Sequence, residues 1–173
     1  TYSGSRGSEA PVSLFRVGPD GFREPFVKGI TNATSMALAP DGQLYVSSRV
    51  DGAVYRVDTD GRYQIAVSDL GVACGLAFDR EGALYVAEVN KILRFDDIEA
   101  RLAAPSPPIV ISESFPSDRG HGWKFIRFGP DGLLYIPVGA PCNICERDDP
   151  YAAILRMSPD GTGLEIFARG VRN

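Results

Sequence analysis

Apolar and polar residues alternate by twos along most of the chain, in runs of five or six closed by acidic Gly-containing turns. One unit is an apolar strand, a turn and a second strand with Leu-Tyr character. It occurs as MALAPDGQLYVSS (36–48), GLAFDREGALYVAE (75–88) and IRFGPDGLLYIPVG (126–139). A second unit runs an Arg-bearing strand into another acidic turn, as SLFRVGPDG (13–21), AVYRVDTDG (53–61), ILRFDD (92–97) and AILRMSPDG (153–161). The β-branched and aromatic residues of these segments suit a pleated surface, and Asp-Gly tolerates the backbone of a tight turn.

The two units alternate, which predicts repeats of four antiparallel strands: inner, second, third and outer. Repeats of this size, roughly 40 residues, are the pattern of a β-propeller. An ordinary β-sandwich is the competing architecture, but it does not alternate two hairpin types. The expectation is an all-β chain, a partial propeller over 1–173 of about three and a half four-stranded blades. Residues 12–27 form a half blade, 35–67, 75–112 and 124–168 form full blades, and 170–173 begin another. Open edges at both ends predict self-association.

Topology sorts the connections. The turns at Asp20, Asp41, Asp60, Glu81, Asp131 and Asp160 share one face and read as structural. The outer-to-inner and second-to-third loops share the other face, where the repeats differ. Residues just ahead of each inner strand lie nearest the axis: Asn32 and Thr34, Cys74, His121, and Arg172 with Asn173.

His121 is the only histidine, flanked by Gly120 and Gly122 and followed by the only tryptophan, Trp123. These glycines either admit a ligand or only make a turn, and Trp123 serves either a ligand or the core. The loop GAPCNICERDDPYAA (139–153) is longer than its counterparts SSRVDGA and AEVNK. Cys142 and Cys145 with one histidine fall short of the four ligands zinc takes, so a short-loop disulfide is expected. Glu146, Asp148 and Asp149 do not match a calcium loop, and no metal ligand is assigned.

Composition removes some functions. Eighteen basic against 22 acidic residues leave a net charge of −4 and no basic patch for nucleic acid. No apolar run reaches the length of about 20 residues that a membrane span needs. The N-terminus TYSGSRGSEA lacks a signal-peptide pattern, so a targeting segment is taken to be absent or removed.

From His121 onward, HGWKFIRFGPDGLLYIPVGAPCNIC, PYAAILRMSPDG and FARGVRN resemble the glucose/sorbosone dehydrogenase family, and its sorbosone dehydrogenase-like branch in particular. EVNKILRFDDIEARL also fits, whereas the first 70 residues fit only as generic propeller. The resemblance implies a six-bladed propeller that oxidises a sugar with pyrroloquinoline quinone (PQQ) and calcium, passes electrons to an external acceptor, and is periplasmic or secreted. It implies His121 as catalytic base, Arg172 and Asn173 as cofactor contacts, and Asn143 as a further contact in the Cys loop. Some members carry an acidic residue where Gly120 stands, and others a Gln in the enlarged loop. The resemblance places the calcium ligands mostly beyond Asn173, so the isolated chain is expected to be inactive. A calcium-dependent lactonase-type hydrolase recruiting Glu88 and Asn90, or a non-catalytic ligand- or protein-binding propeller, are the alternatives.

Overall fold

The structure, a computed structural model, describes residues 10–102 and 105–172. Fourteen strands follow one another: β1 (Val12–Val17), β2 (Arg23–Lys28), β3 (Ala33–Leu38), β4 (Leu44–Ser48), β5 (Ala53–Val57), β6 (Tyr63–Val67), β7 (Gly75–Phe78), β8 (Leu84–Ala87), β9 (Ile92–Phe95), β10 (Ile109–Ser112), β11 (Arg127–Phe128), β12 (Leu134–Val138), β13 (Ala153–Met157) and β14 (Glu165–Arg169). They form one hairpin, β1–β2, and three antiparallel sheets in sequential order: β3–β6, β7–β10 and β11–β14. No helix is found among the described residues. This is the all-β architecture of a partial β-propeller.

Six glycines set the spacing of the strands. Gly21, Gly42, Gly61, Gly82, Gly132 and Gly161 have φ between 79° and 94°, a region that costs other residues energy. In the first turn Gly21 N–H donates to Gly18 O at 2.9 Å, and Gly18 N–H closes the hairpin on Phe22 O at 2.9 Å. Each turn is therefore a β-turn extended by a left-handed glycine, longer than the two-residue hairpin. An acidic side chain stabilises it: Asp41 Oδ1 accepts from Gln43 N–H at 3.0 Å, and Asp131 Oδ1 from Leu133 N–H at 3.2 Å. Where Glu81 replaces the aspartate, Asp79 supplies the acceptor for Ala83 N–H at 2.8 Å.

The period of two sends alternate side chains of each sheet into different cores. In β8, Leu84 and Val86 pack toward β3–β6, while Tyr85 and Ala87 pack toward β11–β14. A third cluster, around Val27, Ile30, Val46 and Val57, joins the first hairpin to β3–β6. The middle sheet is thus buried on both faces. Each fully buried large apolar side chain there contributes about 1.5–3 kcal/mol. In the first two four-stranded sheets the Tyr of the second strand meets the next sheet: Tyr45 meets Phe78 edge-on at 5.1 Å, and Tyr85 meets Phe128 at 4.9 Å, whereas Tyr135 meets Phe167 of its own sheet at 5.1 Å.

Within the expected blade 124–168 the inner strand is short, Arg127–Phe128 only. The preceding residues are drawn out of the ladder because Lys124 is buried and donates to Val89 O and Gly122 O, while the Arg127 guanidinium spans to Leu76 O at 2.7 Å. Residues 170–172 form no strand, since Val171 N–H donates to Ala152 O at 3.0 Å and the Arg172 carbonyl accepts from Ala140 N–H at 2.9 Å. Asn173 lies outside the described residues.

Candidate functional site on the loop face

The β12–β13 loop, 139–152, is the scaffold of the candidate site. On one side it meets the segment carrying His121. The His121 Nδ1 lies 2.9 Å from Ala140 O, and Tyr151 Oη donates to the Asp118 carboxylate. A Cβ on Gly120 would stand 2.5 Å from Pro141 O, so this approach admits no side chain. On the other side the loop meets the segment carrying Arg172. Ala140 N–H donates to Arg172 O, and the Arg172 guanidinium donates to Asn143 O. Asp149 and Arg169 add a two-point ion pair at 2.8 and 3.1 Å. Cys142 and Cys145 are joined by a disulfide within this loop.

One residue, Ala140, therefore binds His121 through its carbonyl and Arg172 through its amide. It also lines a cleft of about 640 Å³ with Cys145, Glu146, Arg147, Tyr151 and Arg172. A second groove, of about 600 Å³ between β6 and β10, shares no residue with this cluster.

The bond to Ala140 fixes the histidine tautomer. A carbonyl oxygen only accepts, so Nδ1 carries the proton and donates, and the neutral ring keeps its lone pair on Nε2. No described group bonds to that nitrogen. His121 has φ 52°, where a side chain costs about 1–2 kcal/mol. The surrounding contacts hold it there: a Cβ on Gly122 would meet Asp118 O at 2.2 Å.

Beneath the histidine sits Lys124, 1% exposed, whose ammonium ties Gly122 O to Val89 O in the neighbouring sheet. Burial lowers its pKa below the ordinary lysine value. Cys74 is a buried free thiol donating to Val72 O at 3.1 Å, and burial pushes its pKa up, which keeps it unreactive. Glu88, also buried, accepts from Gly71 N–H at 2.8 Å and faces Lys91 at 3.4 Å.

The structure thus brings together His121, Arg172, Asn143 and the disulfide, whereas Asn173 lies outside the described residues. Ala140, Tyr151 and Lys124 were missed in the sequence. A backbone carbonyl carries no sequence signal, and a lysine announces exposure unless its surroundings are known. Trp123 is 44% exposed, which removes it from the core. Among the described residues, no group of three or more His, Cys, Asp or Glu is placed to hold a metal ion.

No family model and no curated protein matches the chain. Solved structures do match its fold. One is the PQQ-bound aldose sugar dehydrogenase of Streptomyces coelicolor, with a TM-score of 0.67 and 24% identity over 88% of this chain and 51% of that one. Another is the PQQ domain of pyranose dehydrogenase from Coprinopsis cinerea, with a TM-score of 0.76 and 17% identity over 97% of this chain and 46% of that one. Virginiamycin B lyase of Staphylococcus aureus also matches, with a TM-score of 0.60 and 15% identity over 88% of this chain and 47% of that one. The chain spans about half the length of these structures. At such identities the likeness establishes the propeller fold, which dehydrogenases and a lyase share.

Proposed function

We propose that the chain carries part of the active site of a PQQ-dependent sugar dehydrogenase, of the sorbosone dehydrogenase-like branch, with His121 as general base. The observation that carries this reading is the hydrogen bond from His121 Nδ1 to Ala140 O, on the residue that also anchors Arg172. With Nδ1 committed, Nε2 takes the proton of a sugar hydroxyl.

Arg172, Asn143 and Asn173 would hold the cofactor. The donor set suits it: the Arg172 guanidinium is exposed at the cleft and offers planar N–H groups to anionic or quinone oxygens. PQQ, when bound, supplies a two-electron acceptor, and an external acceptor then takes the electrons. Calcium has no ligand set among the described residues and would be held by others. Cofactor contacts among the described residues are correspondingly few, so the 173-residue chain alone should oxidise no aldose. A periplasmic or secreted location fits the disulfide. Exposed apolar residues on the outermost sheets, such as Phe15, Val17 and Phe167, favour self-association.

A lactonase site recruiting Glu88 is the weaker reading, because that carboxylate is committed to Gly71 and Lys91. The test is stopped-flow quinone reduction by an aldose in the protein loaded with PQQ and calcium. His121→Ala should slow reduction by about 10²–10⁴-fold with cofactor binding retained. Arg172→Ala should weaken both. Wild-type reduction in His121→Ala would remove the base assignment, and no reduction in the wild-type protein would favour a ligand-binding propeller.

A further inference from the structure

On the loop face, one pair of side chains serves no hydrogen bond of the fold. Arg49, in the β4–β5 loop, places its guanidinium carbon 4.6 Å from the centre of the Trp123 ring. The contact reaches from the first four-stranded sheet to the third, across the loops of the second. Trp123 stands two residues after the proposed base, and 44% of its surface stays in solvent.

Arg49 makes no hydrogen bond and no ion pair with a described carboxylate. The buried carboxylate of that face, Glu88, is already engaged by Gly71 and Lys91. A guanidinium resting its face on an indole keeps its N–H edges free, and their spacing matches the two oxygens of a carboxylate. The exposed part of the indole offers an apolar surface to the C–H face of a ring.

We propose that Arg49 and Trp123 form a subsite for a ring-shaped ligand bearing a carboxylate, and that this ligand is an acidic sugar, a uronic acid, presented to His121. The identity of the ring as a sugar rests on the dehydrogenase reading; the carboxylate preference rests on Arg49 and Trp123 alone. PQQ carries carboxylates too, so the two sources are separated by experiment.

Trp123 is the only tryptophan, so indole fluorescence reports this subsite alone. The 173-residue chain is titrated with D-glucuronate and with D-glucose, and PQQ binding is followed by calorimetry. Glucuronate should change the fluorescence saturably, and Arg49→Ala or Arg49→Gln should raise its dissociation constant about tenfold to a hundredfold, the loss expected for a charge-assisted bidentate contact. Arg49→Lys should fall between them and wild type. Glucose should bind weakly and alike in all variants. Circular dichroism identifies folded variants, and Arg49→Gln keeps most of the side-chain bulk should Arg49→Ala misfold. Equal glucuronate affinity in wild type and Arg49→Gln, or no saturable response, overturns the proposal. Loss of PQQ binding with glucuronate binding intact overturns the substrate assignment and gives the carboxylate to the cofactor. None of these readouts needs turnover. Absence of sugar oxidation by the complete protein loaded with PQQ and calcium would therefore sink the dehydrogenase reading without touching this result. An Arg49-independent glucuronate affinity would sink the subsite and leave that reading standing.

Discussion

The two ends of the sheets solve the same problem in opposite ways. At the turn end each reversal is closed locally: an acidic side chain accepts from the amide two or four residues on, and a left-handed glycine completes the reversal, with distant side chains such as Tyr85 and Arg16 only adding bonds to the turn carbonyls of Pro159 and Thr59. At the loop end the bonds are distant in sequence. His121 reaches Ala140, Asp118 reaches Tyr151, Lys124 reaches Val89 and Asn143 reaches Arg172. Local satisfaction makes the turn end repeat without variation. Long-range satisfaction lets the loop end hold individual side chains in positions that no short segment would keep by itself. The strained φ of His121 belongs to that second kind of order.

The sharpest way to break the contrast is to fill a glycine at each end. Gly122→Ala would drive a Cβ to 2.2 Å from Asp118 O, a backbone atom that cannot step aside. Urea unfolding should show a loss of about 2–3 kcal/mol, and the environment of the neighbouring Trp123 should change, visible in its fluorescence. Gly132→Ala meets nothing within 4 Å and pays only for its φ of 79°. Its loss should be about 1–2 kcal/mol, with the Trp123 signal unchanged. If Gly132→Ala also moved Trp123, the two ends would be coupled and the comparison would fail.

A smaller effect, shared by both ends, is read by pH. Asp60, Asp131 and Asp160 of the turn end have pKa values below the ordinary 3.8, held there chiefly by hydrogen bonds from Arg62, Tyr135 and Thr162 respectively. Asp149 of the loop end is lowered in the same direction, chiefly by Arg169. For a depressed carboxylate the unfolded chain takes up the proton first. The stabilisation is complete above about 3.8 and is lost as pH falls through the lower folded values. Acid unfolding should therefore steepen below pH 4, and Tyr135→Phe should soften it by freeing Asp131. An acid limb unchanged in that variant would show that the Tyr135–Asp131 bond contributes nothing in solution.

Much of the fold was legible in local pattern. The alternation of MALAPDGQLYV and AVYRVDTDG is itself the strand period, and Asp-Gly sets its own turn, so four-stranded units follow without tertiary information. The positions ahead of the inner strands could be placed on one face by topology alone, which is why His121 and Arg172 stood out. The inner strand of the third sheet was not legible: FIRF alternates like any strand, but burial of Lys124 beneath the His121 segment takes the preceding residues out of the ladder.

The sequence by itself determined the strand period, the turns and the face on which chemistry-bearing residues collect, because each depends on neighbours within a few positions. Only the tertiary structure decided which nitrogen of His121 is free, that Ala140 links His121 to Arg172, and that Arg49 lies on Trp123. Those outcomes depend on groups 19, 32 and 74 residues apart in the chain, counted as 140−121, 172−140 and 123−49, which meet only after sheets stack on their buried faces. No local propensity encodes such a meeting; it is set by which apolar face each sheet must hide from water.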